Sequence, residues 1–134
     1  MVKRTHWIPH FTTGNARLDE QHQELLAQCN ALASCLEEAG EAARERFSVI
    51  LKDLLTCVRE HFTTENQLLA RHGYPLLDQH AHEGEEFEYL ATEIISTEHF
   101  DMDELQTFLA LWCTGHIVGT AGPQRPYLEQ AAAS

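Results

Sequence analysis

Four histidines and one glutamate of this chain occupy positions from which they could bind a metal ion. Each histidine falls on the apolar face of a different predicted helix, where leucine would be expected: His22, His61, His80 and His116. Glu65 follows His61 by one helical turn, which puts both side chains on one face. A buried polar group is costly unless it finds a partner. Imidazole and carboxylate together suit iron, manganese or zinc, so these residues predict a shared metal site.

The spacing of the apolar residues predicts four amphipathic helices. In each of them, apolar residues recur at alternating steps of four and three, the repeat of a helix that faces a bundle core. The four seams run from Leu18 to Leu36, from Phe47 to His72, from Leu77 to Ile94 and from Leu105 to His116. Joined by short connectors, they predict an all-α fold, an antiparallel up-down four-helix bundle.

This topology would gather the five polar residues at one end of the bundle. His22 lies near the start of the first helix, and His61 and Glu65 lie late in the second. His80 lies early in the third helix, and His116 ends the fourth. In an up-down bundle the start of one helix neighbours the end of the next. We therefore expect all five side chains at about the same level.

The chain is predicted to be one domain, residues 1–134, with an N-terminal arm at 1–15, the bundle at 16–118 and a C-terminal tail at 119–134. The sequence Gly73-Tyr74-Pro75 should end the second helix, because glycine and then proline stop helices. Asp101, with Glu104 three residues later, resembles the cap of the fourth helix. The aromatic residues of the arm should pack over the bundle. We expect the tail, including Ala131-Ala132-Ala133-Ser134, to be loose.

Composition narrows the possible functions and locations. The formal net charge of −12 argues against binding nucleic acid or an anionic membrane through a basic surface. No apolar run approaches the length of a membrane span. The four cysteines lack metal-type spacing, and Cys29 and Cys113 look like small core residues. No secretory signal is visible after Met1, so we expect a cytoplasmic protein with free thiols.

A set of motifs is spread over nearly the whole chain: Trp7 with Gly14, Leu18-Asp19-Glu20-Gln21-His22-Gln23-Glu24-Leu25, His61-Phe62-Thr63-Thr64-Glu65-Asn66, Gly73-Tyr74-Pro75 with His80, Phe87, and Trp112 with His116-Ile117. In this combination of motifs the chain resembles a known family, the bacterial hemerythrins. The resemblance implies a four-helix bundle that holds two non-heme irons and binds O2 reversibly.

The resemblance also implies a ligand set. His22 and His61 would hold one iron, His80 and His116 the other, and Glu65 would bridge the two. Two family ligands are missing: Gly84 stands where a second histidine of the third helix belongs, and Ala121 replaces a bridging aspartate.

These losses predict weaker binding at the His80/His116 position and a space beside the metal at Gly84. That space is either a simple defect or a pocket for water or an external ligand. Glu83, three residues after His80, could turn inward and supply a carboxylate ligand instead.

Three functions fit these observations. The first is an O2-binding di-iron protein with a depleted site, in which extra open positions favour oxidation, with oxidase- or peroxidase-like turnover, over O2 transport. The second is a sensing module that holds one metal, or a metal other than iron, and reports redox state or metal supply. The third is a structural bundle without metal, in which Glu65 would stay buried among histidines without a cation.

Overall fold

The computed structural model describes residues 3–96 and 101–133, and these form five α-helices and no strand. The helices are α1 (Ala16–Leu36), α2 (Glu41–Arg71), α3 (Leu77–Ser96), α4 (Met102–Ala121) and α5 (Arg125–Ala133). α1 packs against α2 and α4, and α3 packs against α2. The predicted helical bundle is confirmed. Within the described ranges, no helix combines the length and apolar character needed to cross a bilayer.

Local signals begin and end these helices. As predicted, Asp101 caps α4 by accepting a hydrogen bond from the Glu104 N–H. Asn15, which the sequence analysis did not single out, caps α1 by accepting from the Leu18 N–H. α2 ends where Gly73 adopts a φ of 74°, a left-handed conformation that glycine adopts without steric cost. The Tyr74 N–H then donates to the Leu69 carbonyl.

The predicted seams form one main core. Phe47, Leu54, Leu32 and Leu109 are fully buried, and Cys29 and Cys113 are buried among them as free thiols. Phe11 is buried and Trp7 packs against the same core, so the aromatic residues of the arm cover the bundle as predicted.

The C-terminal segment differs from the prediction. α4 continues to Ala121 through Gly119, and residues 125–133 form α5, so the expected loose tail is wrong for this segment. Leu128 of α5 is fully buried in a second, small cluster with Leu18 and Leu69. This apolar contact is the physical reason that the segment folds onto the bundle. The last residue of the predicted tail, Ser134, lies outside the described residues.

Candidate metal centre

The five polar residues singled out in the sequence meet at one end of the bundle. α1 supplies His22, α2 supplies His61 and Glu65, α3 supplies His80 and α4 supplies His116. Each is 5% exposed or less. The structure therefore brings together every residue that the seams and the topology had predicted to converge.

Glu65 is the centre of this cluster, and its two oxygens face different partners. Oε2 lies in direct contact with Nε2 of His61, 3.2 Å from Nε2 of His116 and 3.5 Å from Nε2 of His22. Oε1 lies 2.9 Å from Nε2 of His80. One carboxylate thus joins a group of three histidines to a fourth that stands apart.

The three histidines around Oε2 are too close to satisfy one another by hydrogen bonds. Nε2 of His61 lies 2.9 Å from Nε2 of His22 and 3.0 Å from Nε2 of His116. An imidazole nitrogen carries one proton or one lone pair, so it can form one such hydrogen bond at a time. Nε2 of His61 lies close to three possible partners, which are Nε2 of His22, Nε2 of His116 and Oε2 of Glu65.

A cation that accepts all the lone pairs would remove this conflict. The donor atoms of His22, His61, Glu65 and His116 lie within 4.8 Å of one another. Three imidazole nitrogens and a carboxylate oxygen are ligands that iron and zinc take in proteins. The residues present therefore fit a metal ion at this position.

Hydrogen bonds behind the cluster fix three of the rings with Nε2 facing inward. Nδ1 of His61 lies 2.8 Å from Oε1 of Gln21, Nδ1 of His116 lies 3.1 Å from Oε1 of Glu83, and Nδ1 of His80 lies 3.2 Å from Oδ1 of Asn66. Each acceptor keeps a ring proton on Nδ1, which directs Nε2 inward as the nitrogen that would bind a metal.

His22 is the exception among the four rings. Its buried Nδ1 has no hydrogen-bond partner among the described residues. The orientation of this ring therefore depends on packing and on its contacts through Nε2.

Burial and the central carboxylate set the pKa values of the cluster. Burial lowers the pKa of His61 from 6.5 to about 4, against the opposing pull of Glu65. Burial would also lower the pKa of His116, but the adjacent Glu65 and Glu83 carboxylates raise it to about 10. For Glu65, burial favours the neutral acid, yet His116 and His61 hold its pKa well below the usual range. Without metal, Glu65 and His116 form a buried ion pair.

Thr120 is a site residue that the sequence prediction missed. It is buried, and its hydroxyl lies 3.2 Å from Oε1 of Glu65, the same oxygen that contacts His80. The prediction had ended the fourth helix before this position, so the inward face of its last turn was not considered. The signal was present in the spacing, because Thr120 follows His116 by one helical turn.

Glu83 does not supply the inward ligand that the sequence had suggested. Its side chain is 41% exposed and contacts His116 at Nδ1, the ring nitrogen that faces away from the cluster. On α3, the residue three positions after His80 reaches the outer edge of the His116 ring. Glu83 therefore orients a histidine from behind.

The space expected beside the metal at Gly84 is occupied by an aromatic ring. A Cβ atom built on Gly84 would lie 3.1 Å from Cδ1 of Phe62. The Phe62 ring centroid lies 4.9 Å from that of His116 and 5.2 Å from that of His80. An apolar ring thus borders the cluster at Gly84, the position where the resemblance had implied another histidine.

Further aromatic side chains cover the cluster. The Trp112 ring is parallel to that of His116, with centroids 5.5 Å apart, and lies 4.3 Å from Phe87. These rings separate His116 from solvent, which strengthens every electrostatic interaction inside the site.

One family model and several known proteins are similar to this chain. The family model described as the hemerythrin HHE cation binding domain matches residues 13–120. Hemerythrin-like proteins of Naegleria gruberi and Naegleria fowleri are each 31% identical to the chain over 114 residues, which cover 85% of this chain and 85% of each relative. A bacteriohemerythrin of Stenotrophomonas maltophilia (strain R551-3) is 25% identical over 138 aligned positions, covering 95% of this chain and 81% of the relative. No solved structure is significantly similar to the chain.

Proposed function

The chain belongs to the hemerythrin family, and from this premise we propose that it is a non-heme iron protein whose principal site holds one metal ion. His22, His61, His116 and Oε2 of Glu65 would hold that ion. The observation that carries the proposal is the unequal division of donors around Glu65. Three imidazole nitrogens surround Oε2, whereas one imidazole and the Thr120 hydroxyl face Oε1.

Four protein donors leave coordination positions open. Bound iron would supply those positions to O2 or another small ligand. Gln21 and Glu83 would keep two of the ligating rings oriented, and the Phe62 and Trp112 rings would exclude bulk water. A depleted ligand set of this kind favours sensing or oxidation over reversible O2 transport. As predicted from the sequence, we place this activity in the cytoplasm, where thiols stay reduced.

A di-iron centre is the second candidate, and one observation favours it. Nε2 of His80 lies 2.9 Å from Oε1 of Glu65, and Asn66, at Nδ1, orients the ring towards this oxygen. A second iron held by His80 and Oε1 of Glu65 would take the place of this contact and would make Glu65 a bridge.

Metal analysis of matched variants separates the two candidates. Protein purified without oxygen should contain about one iron per chain, His61→Ala should contain none, and His80→Ala should keep its iron. A di-iron centre would instead give about two irons in the parent protein and lose one in His80→Ala. His82→Ala is the control, because His82 is exposed on the same helix and pairs with Glu86.

Exposure of the reduced protein to air tests whether the site binds O2, and removal of the metal tests whether the fold depends on it. A visible charge-transfer band that appears in air and disappears under argon would support O2 binding. Irreversible bleaching would support oxidation. A protein that purifies without metal, and whose melting temperature is indifferent to chelators, would be a structural bundle and would overturn the proposal.

A further inference from the structure

A cavity of about 360 Å³ opens between α2 and α3, beside the metal cluster, which it reaches at His80. Its walls are mainly apolar, formed by Val58 and Phe62 of α2 and by Ala81 and Phe87 of α3. Small-molecule sites in proteins are concave, mostly apolar and about 300–1,000 Å³ in volume. The cavity is therefore of a size and character that suit a small ligand.

Gly84 borders this cavity next to the Phe62 ring. It lies on α3 among the lining residues, and a Cβ atom at this position would lie 3.1 Å from Cδ1 and 3.3 Å from Cγ of Phe62. Any side chain here would press on the Phe62 ring or narrow the space in front of it. Glycine within a helix costs about 1 kcal/mol relative to alanine, so the opening has a cost in stability.

The polar side chains of the cavity suggest what it would bind. Thr63 is already satisfied, because its hydroxyl donates to the Arg59 carbonyl. At the inner end lie His80 and Asn66, where Asn66 Oδ1 accepts from His80. The Asn66 amide N–H groups make no hydrogen bond to any described residue and can donate to an occupant. At the outer edge, Arg59 is paired with Glu88, and Glu85 adds a further negative charge.

The charges at the rim exclude anions. One arginine against two glutamates leaves the rim negative, and the whole chain carries a formal charge of −12. A carboxylate or phosphate would approach this opening against an unfavourable potential. Cations find no buried carboxylate to pair with in the cavity, because Glu65 lies behind His80.

We propose that the cavity beside Gly84 binds a small, flat, uncharged aromatic molecule with one hydrogen-bond acceptor. The rings of Phe62 and Phe87 offer faces and edges for an aromatic occupant, and Asn66 offers the donor. Such an occupant would contact Phe62 and His80, both of which touch the metal cluster. The cavity would therefore couple a small organic molecule to the metal centre without placing that molecule on the metal.

Phenol is a suitable probe, and benzoate is its charged counterpart of similar shape. Titration of phenol into the metal-free protein, followed by amide chemical shifts, should give saturable changes centred on Ala81, Gly84 and Asn66. Benzoate should give none. No saturable change with phenol, or equal changes with benzoate, would overturn the proposal.

Two variants locate the binding, and a third serves as a control. Gly84→Ala should weaken phenol binding by about 10-fold or more, as expected when one carbon is added to a filled pocket. Ala81→Leu fills the cavity from α3, leaves the contact between Gly84 and the Phe62 ring unchanged, and should also weaken phenol binding. This second variant tests the site even if Gly84→Ala folds poorly. Gly119→Ala is the control, because a Cβ there meets nothing within 4 Å. Unchanged affinity in both cavity variants would contradict the proposal.

This test is independent of the metal proposal. Phenol binding is measured first on metal-free protein and then on protein loaded with zinc, which has no redox chemistry. If the protein binds phenol but no iron, the cavity proposal stands and the proposed iron site is wrong. If it binds iron but not phenol, the iron site stands and the cavity proposal is wrong.

Discussion

The Glu83 carboxylate lies 3.1 Å from Nδ1 of His116, on the side of the ring that faces away from Glu65. The His116 ring is therefore held between two carboxylates, one at each nitrogen. The inner carboxylate belongs to the proposed ligand set, and the outer one fixes the ring proton and orientation.

Replacing Glu83 should weaken metal binding while leaving the ligand set intact. Outer hydrogen-bond partners of ligating histidines typically contribute about 10- to 100-fold in metal affinity. Glu83→Ala should lose affinity in that range, measured by zinc titration in competition with a chelating dye. Glu83→Gln should retain more, because its amide oxygen can still accept the Nδ1 proton. Glu85→Gln is the control, since Glu85 is exposed and faces His82. Equal affinity in all three variants would rule out an orienting role.

The metal-free protein should be most stable near pH 6.5. The pKa of His116 is raised to about 10, so its stabilising contribution is complete below 6.5 and is lost as the pH rises towards 10. The pKa of His61 is lowered to about 4, so its contribution is complete above 6.5 and is lost as the pH falls through 4. The lowered pKa of Glu65 adds to the loss of stability at acid pH. Melting temperatures of the protein in the presence of a chelator, measured from acid to alkaline pH, would test the loss of stability on both sides of the maximum.

Bound metal should reduce the alkaline loss of stability. The metal takes the Nε2 lone pair of His116, so the proton that this ring carries in the metal-free protein is released on binding. Calorimetric titrations at pH 7 in buffers of different ionisation enthalpy should therefore show proton release. A binding enthalpy that is the same in every buffer would contradict the Glu65–His116 ion pair.

Gly14→Ala should destabilise the fold through the arm. Gly14 has a φ of 81°, and a Cβ atom there would overlap Cγ of Glu129. A strained left-handed residue costs about 1–3 kcal/mol, and the contact with α5 adds to it. Thermal or urea unfolding should show a loss of at least this size. The double variant Gly14→Ala/Glu129→Ala should recover the part due to the contact but not the part due to φ.

Trp112→Phe should speed oxidation of the reduced iron site. Trp112 covers the His116 ring with a parallel contact, and a smaller ring would leave a path for O2 and water. The rate of loss of ferrous iron in air, measured by a colorimetric chelator, should rise several-fold. Trp7→Phe is the matched control, because Trp7 packs with Phe11 in the arm. An unchanged rate in Trp112→Phe would make Trp112 a core residue only.

The C-terminal segment shows why some elements could not be predicted from local signals. The tail was expected to be irregular because it contains several helix-breaking residues, namely Gly119, Gly122, Pro123 and Pro126. In the structure, however, Gly119 lies within α4 and Pro126 lies in the first turn of α5. Proline is tolerated in the first turn because the N–H it lacks has no helical partner there. Burial of Leu128 against Leu18 and Leu69 then stabilises a helix that its own sequence does not indicate.

The bundle and the set of converging polar residues could be predicted from residue spacing. Helical periodicity decides which face of each helix is buried, and up-down topology decides which ends meet, so His22, His61, Glu65, His80 and His116 could be placed together. How these side chains contact one another depends on packing between helices. That packing sets which oxygen of Glu65 faces which ring, the outward position of Glu83, the inward hydroxyl of Thr120 and the Phe62 ring over Gly84. Residue spacing carries no information about such contacts, because they depend on how side chains from different helices interdigitate.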